Sequence, residues 1–122
     1  MLYVILCYDD EAVVEGWTPE QDAAVIAKRR VVQQKLAAEG RLGPVARLMP
    51  TTAATTLRSG REPVVVDGPF AETKEQLLGF YVVDCATLEG AIEVARQLKE
   101  GESCGSFEIR PLRSFRPEAP GS

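Results

Sequence analysis

The chain has 122 residues and no histidine among them. Histidine is the side chain whose ordinary pKa lies nearest neutrality, so the usual general base at pH 7 is missing. The commonest nitrogen ligand for transition metals is missing with it. Any catalysis must therefore rest on carboxylates, tyrosine, lysine, arginine or cysteine. Cysteine is also sparse. Cys7, Cys85 and Cys104 are an odd number with no CxxC spacing, which argues against both a disulfide framework and a zinc site. Cys7 and Cys85 stand in apolar runs and read as buried thiols, while Cys104 lies in a Gly/Ser loop. Without a histidine partner none of them is expected as a nucleophile. Neither a metal nor a cofactor is expected.

Long apolar runs are lacking too. The longest uncharged one, Leu2 to Tyr8, falls far short of the roughly 20 residues needed to span a bilayer. No basic segment precedes it, as a signal peptide would require, so a cytoplasmic location is expected. Positive charge is in short supply: 14 Lys and Arg against 18 Asp and Glu, a net charge of -4. That excludes a broad basic face and disfavours a nucleic-acid partner. The hydrophobic share of 45% and the charged share of 26% suit one soluble domain with a real core.

Leu2–Tyr8 reads as a strand that is apolar on both alternating faces. Thr18-Pro19-Glu20-Gln21 is a helix start, with a capping threonine, proline at the first helical position and Gln21 three residues after the cap. The spacing predicts a helix to about Glu39, stopped by Gly40. Its apolar stripe is Val25, Val32 and Leu36. Arg29 falls inside that stripe, with Asp22 and Gln33 close to it. Two readings stay open for this polar trio: long stems snorkelling out at the core's edge, or a polar pocket beneath the helix. A second strand broken by Gly43-Pro44 is expected within 41–49, and a hairpin from Thr55–Arg58 and Pro63–Val66. Gly79–Asp84 is a further strand, where Gly79 marks a bulge or a close backbone approach. Leu88–Lys99 is a helix capped by Thr87, with Leu88, Ala91, Ile92, Ala95 and Leu98 facing inward. Phe107–Arg110 is the last strand. One domain over residues 1–112 is expected, with a tail at 113–122.

The order β-α-β-hairpin-β-α-β indicates an α+β fold, a two-layer sandwich of ferredoxin-like type. Two helices cover one sheet face only, yet two strands are apolar on both. A second copy, sheet against sheet, would cover the other face and make a barrel-like homodimer.

"VVVDGPFAETKE", residues 64–75, stops a strand abruptly. Asp-Gly favours a tight turn, and Pro69 cannot donate to a ladder. Asp67 thus reads either as a turn residue or as a strand-end pocket residue and candidate catalytic carboxylate. Phe70 is a candidate ligand contact. Tyr8 and Tyr81 are core aromatics or hydrogen-bond donors lining a pocket. Trp17 is a staple residue before the helix cap or a lid on a cleft. Arg29 or Arg110 can hold an anionic oxygen, so a small anionic or aromatic ligand is expected.

"MLYVILCYDDE", Ala54–Arg58, "VVVDGPFAETKEQLLGFYVVD", "LEGAIEVARQL" and "GSFEIRPL" together resemble the YCII-related domain proteins, in particular the branch marked by Asp-Gly-Pro-Phe. The likeness runs to about Leu112. It implies a ferredoxin-like dimer. It also implies kinship with small-molecule enzymes, among them lyases acting on aromatic rings through a His-Asp pair. Counted back from the helix end at Glu39-Gly40-Arg41-Leu42, the histidine's position falls at or near Arg29, so that pair is not carried over. The branch is often encoded beside extracytoplasmic-function sigma factors, which implies an accessory role and a possible sigma-factor partner. Three functions are thus expected in order: a small-ligand-binding or accessory protein, a lyase or isomerase using Asp67 without histidine, and a sigma-factor-associated module.

Overall fold

The computed structural model describes residues 1–117. Of the tail expected from 113 onward, residues 118–122 lie outside the described residues. Six strands and three helices follow in the order β1 Leu2–Asp9, α1 Glu11–Glu15, α2 Pro19–Ala38, β2 Leu42–Arg47, β3 Thr55–Arg58, β4 Val64–Asp67, β5 Gln76–Asp84, α3 Leu88–Lys99 and β6 Ser106–Pro111. This is an α+β chain with antiparallel sheets. The main sheet runs β2-β5-β1-β6, and β3-β4 pair as a separate two-stranded ribbon. Consecutive β1-α2-β2 and β5-α3-β6 units interleave in the main sheet, which is the split β-α-β order. Among the described residues no helix is long and apolar enough to cross a membrane.

The core lies between the sheet and the two long helices. Tyr3, Ile5 and Cys7 of β1 face the same way as Tyr81 and Val83 of β5, opposite them in register. Leu36 of α2 and Ala91, Val94, Ala95 and Leu98 of α3 close over them. Ile5, Val83 and Leu98 are fully enclosed, at 0% exposure. The opposite sheet face carries Val4, Leu6 and Phe80, all partly exposed, together with buried Val82, and among the described residues the two long helices pack on the other face.

Local chemistry sets these elements. Thr18 Oγ1 accepts from the Gln21 N–H at 3.1 Å, and Gln21 Oε1 accepts from the Thr18 N–H at 2.9 Å, a reciprocal capping box. Asp10 accepts from the Ala12 N–H at 2.9 Å and starts the short α1, which the sequence pattern does not signal. Pro44 and Pro111 sit on the two edge strands, where a missing ladder donor costs least. At Gly79 both expected features are present. The β1–β5 register shifts beside it, and an added Cβ would stand 2.5 Å from the Ala46 carbonyl of β2.

One expectation is corrected in α3. Leu88 does not face the core: it is 46% exposed at the helix start, whereas Val94 is buried. Thr87 caps the helix through the Gly90 N–H at 3.1 Å, which makes Leu88 the first helical residue, before the helix has reached its packing contact.

Candidate functional site

The inward face of α2 explains the site. Asp22, Val25, Arg29, Val32, Gln33 and Leu36 recur at helical spacing and are all at least partly buried, while the residues between them, Lys28 apart, face solvent. Half of this inward face is polar. At its C-terminal end Leu36 packs into the core, but at its N-terminal half the helix stands off the sheet. The gap is a cavity of about 260 Å³.

Its apolar walls include Val14, Trp17, Val25, Ile26, Val45, Leu78 and Phe107, and its polar lining includes Asp9, Asp22, Arg29, Gln33, Arg47, Tyr81 and Glu102. Trp17 does not act as a staple, because the position it would meet four residues into the helix is Asp22; it lines the cavity instead. Gly79 of β5, between β1 and β2, also lines the cavity, where the β2 backbone approaches it too closely for a side chain.

Arg29 is the centre of the polar end. It donates to Glu102 through Nη2 at 2.6 Å and through Nε at 3.3 Å. Its guanidinium also lies 5.3 Å from the Phe107 ring centroid. Lys28 joins the same carboxylate at 3.2 Å and donates to the Glu100 carbonyl. Glu102, with a side chain 10% exposed, is therefore held by two cations. Burial works against the Arg29 charge, but the Glu102 carboxylate, Tyr81 and Cys7 more than offset it and raise its pKa above the ordinary value. Burial likewise pushes the Tyr81 phenol up, despite the nearby Arg29 charge. At the mouth Arg47 pairs with Asp22 at 2.7 Å and 3.3 Å, and the hydrogen bond lowers the Asp22 pKa.

Burial raises the Cys7 thiol from 9.0 to about 12. The sign follows directly: the unfolded thiol ionises near 9, while the folded one must keep its proton. Stability contributed by the neutral thiol is complete below pH 9 and is lost as pH rises through about 12. Thermal melts should be flat to pH 8.5 and then fall, by up to about 1.4 kcal/mol per pH unit from this group. Cys7→Ala should flatten part of that slope, leaving the share due to Tyr81. An unchanged slope would contradict the assignment.

Of the residues singled out from the sequence, Arg29, Tyr8 and Tyr81 line this cavity, and Asp67, Phe70 and Arg110 do not. Asp67 ends β4 on the separate ribbon, opposite Thr55. The turn after it is held at its own backbone groups, without the Asp67 side chain: the Gly68 N–H donates to the Ala54 carbonyl at 2.8 Å, the Thr56 hydroxyl donates to the Gly68 carbonyl at 2.7 Å, and the Arg58 side chain donates through Nη2 to the Phe70 carbonyl at 2.6 Å. Gly68 has φ +101, a conformation that costs any other L-residue. Phe70 is 75% exposed. Arg110 lies on the edge strand β6, paired with Glu108 at 2.6 Å. Within one chain Asp67 and Arg29 therefore do not share a cleft. In a melting comparison, Gly68→Ala should cost about 1–2 kcal/mol and Asp67→Ala under about 0.5 kcal/mol. The reverse ranking would give the Asp67 side chain a structural role that its contacts lack.

The sequence pattern did not mark Asp9, Arg47 or Glu102. Asp9 and Arg47 stand at strand ends, and Glu102 stands in a loop between Gly101 and Gly105, both at positive φ. No periodicity carries such residues. An added Cβ on Gly105 would meet Asp9 Oδ2 and the Tyr8 carbonyl, each at 2.9 Å, so the loop reaches this position only as glycine.

A model of the YCII-related domain matches residues 1–116. A protein of Rhizobium meliloti (strain 1021), described as uncharacterized, is 56% identical over 119 residues, which is 96% of each chain.

Proposed function

The chain belongs to the YCII-related domain family, and on that footing we propose that it binds a small, largely apolar, ring-bearing ligand in the cavity beneath α2. The observation that carries this is the lining itself: apolar side chains, Trp17 among them, gathered around a few convergent polar groups on rigid elements. We place the chain in the Asp-Gly-Pro-Phe branch of the family, on its residues 67–70, and in the cytoplasm. A homodimer fits the same reading, because Val4, Leu6 and Phe80 stay partly exposed on the sheet face opposite the two long helices. A second copy packed there, sheet against sheet, would bury them in a barrel-like assembly. Sedimentation as a stable monomer at micromolar concentration is the contrary result.

The lyase reading, with Asp67 as base and Arg29 holding an oxygen, needs the β3-β4 ribbon of a second copy to reach the cavity. Its support is the exposed ribbon, with Leu57 at 66% and Val65 at 68% exposure. A sigma-factor partner rests on the resemblance alone.

A thermal-shift screen with small aromatic metabolites tests the binding reading. A ligand at 100 times its Kd adds about 2.7 kcal/mol of stability, a rise of roughly 10 °C for a chain of this size. Hits should be lost in Val25→Trp, which fills the cavity, and kept in Asp67→Ala and Arg110→Ala. Hits that survive in Val25→Trp would place binding elsewhere, and a panel without any hit would count against the reading.

A further inference from the structure

Resting on the reading of the α2 cavity as a ligand site, we infer that its ligand is uncharged: a flat ring system bearing a hydrogen-bonding oxygen, with carboxylates and phosphates turned away by the cavity's own charge.

Five charged side chains line the cavity: Asp9, Asp22, Glu102, Arg29 and Arg47. Both guanidiniums already have a carboxylate across a two-bond contact, Arg29 with Glu102 and Arg47 with Asp22. Lys28, just beyond the lining, is committed to Glu102 and the Glu100 carbonyl. The third carboxylate, Asp9, accepts from the Asp10 N–H at 2.7 Å and has no ion-pair partner among the described residues. The lining thus carries three carboxylates against two cations, and neither cation is free.

An entering anion must take a guanidinium from its partner. At Arg29 that leaves Glu102, 10% exposed, facing a second negative charge where water screens poorly. A neutral oxygen asks for much less. A guanidinium has five N–H donors, and the Glu102 contact engages Nε and Nη2, which leaves Nη1 to donate. Tyr81 and Gln33 add further hydrogen-bonding groups on the same lining. Trp17, Ile26 and Leu78 supply flat apolar wall. The volume of about 260 Å³ exceeds the roughly 150 Å³ cavity that takes benzene, which suits a substituted ring or a fused pair.

Calorimetric titration of the full chain with two probes of one frame, 2-naphthalenemethanol and 2-naphthoate, decides it. The alcohol is expected to bind at least about tenfold tighter than the carboxylate. In Glu102→Gln, which frees the Arg29 charge, the carboxylate is expected to gain about tenfold while the alcohol stays within about threefold. A carboxylate that binds wild type as tightly as the alcohol overturns this inference and leaves the cavity reading standing. A selectivity gap unchanged in Glu102→Gln overturns the role given to the Arg29–Glu102 pair. Binding of neither probe sinks the cavity reading and this inference together. Should Glu102→Gln fail to fold, the wild-type pair of titrations still decides between the first two results.

Discussion

Arg29→Ala should lower stability by about 3 kcal/mol, near the bottom of the range for removing one partner of a buried ion pair. The cost arises from what is left behind. Glu102, with a side chain 10% exposed, loses its closest hydrogen bond, at 2.6 Å, and among the described residues keeps Lys28 alone as a cation. Phe107 loses the guanidinium packed at 5.3 Å from its ring centroid. Lys28 is what holds the figure to the lower end. The double variant Arg29→Ala, Glu102→Ala should cost clearly less than the sum of the two single variants, because the stranded carboxylate is gone. Arg110→Ala is the control: its pair with Glu108 is 66% and 41% exposed, so water screens it and its loss should leave stability nearly unchanged. Urea unfolding of the four variants measures all of this. Equal, small losses for Arg29→Ala and Arg110→Ala would mean that the Arg29–Glu102 pair is as wet as a surface pair.

Leu98→Ala should cost about 3–4 kcal/mol, in the usual range for deleting an enclosed leucine. Leu98 has 0% exposure and packs in the cluster with Ile5, Val83 and Ala95. Typical domains have only about 5–15 kcal/mol in total, so the midpoint of thermal unfolding should fall by roughly 10 °C or more. Leu88→Ala, ten residues earlier on the same helix, removes the same atoms from a side chain 46% exposed and should cost under about 1 kcal/mol. Losses of similar size at the two positions would contradict the placement of α3.

That pair of leucines marks how far the pattern reads. Helical periodicity puts Leu88 and Leu98 on one face, and the face is right. What periodicity does not carry is where along its length the helix meets the sheet, so the first turn of α3 is counted as core when it lies beyond it. Capping chemistry reads better, because it is local: Thr18 with Gln21, and Thr87 with Gly90, bond as their spacing requires. The order of the longer elements is legible because each carries a cap or an apolar period; the short α1 after Asp10 has five residues and no buried face, so its local cap alone does not mark it.

The site divides similarly. Arg29, Asp22 and Gln33 stand out because they break an apolar stripe on a helix, and all three line the cavity. Glu102, the residue that holds Arg29, lies 73 positions away in a loop without a pattern. Asp67 draws attention through an unusual tetrapeptide, yet the contacts around it are those of a turn built on Gly68 at φ +101. Rare local sequence marks rare backbone as readily as it marks chemistry.

The most direct test of the cavity as a ligand site is amide and indole chemical-shift mapping with 2-naphthalenemethanol. Shifts confined to Trp17, Ile26, Arg29, Gln33, Tyr81 and Phe107, with Val64–Asp67 and Arg110 unmoved, are the expected result. Shifts confined to Val4 and Leu6 on the open sheet face, or to the β3-β4 ribbon, would contradict it.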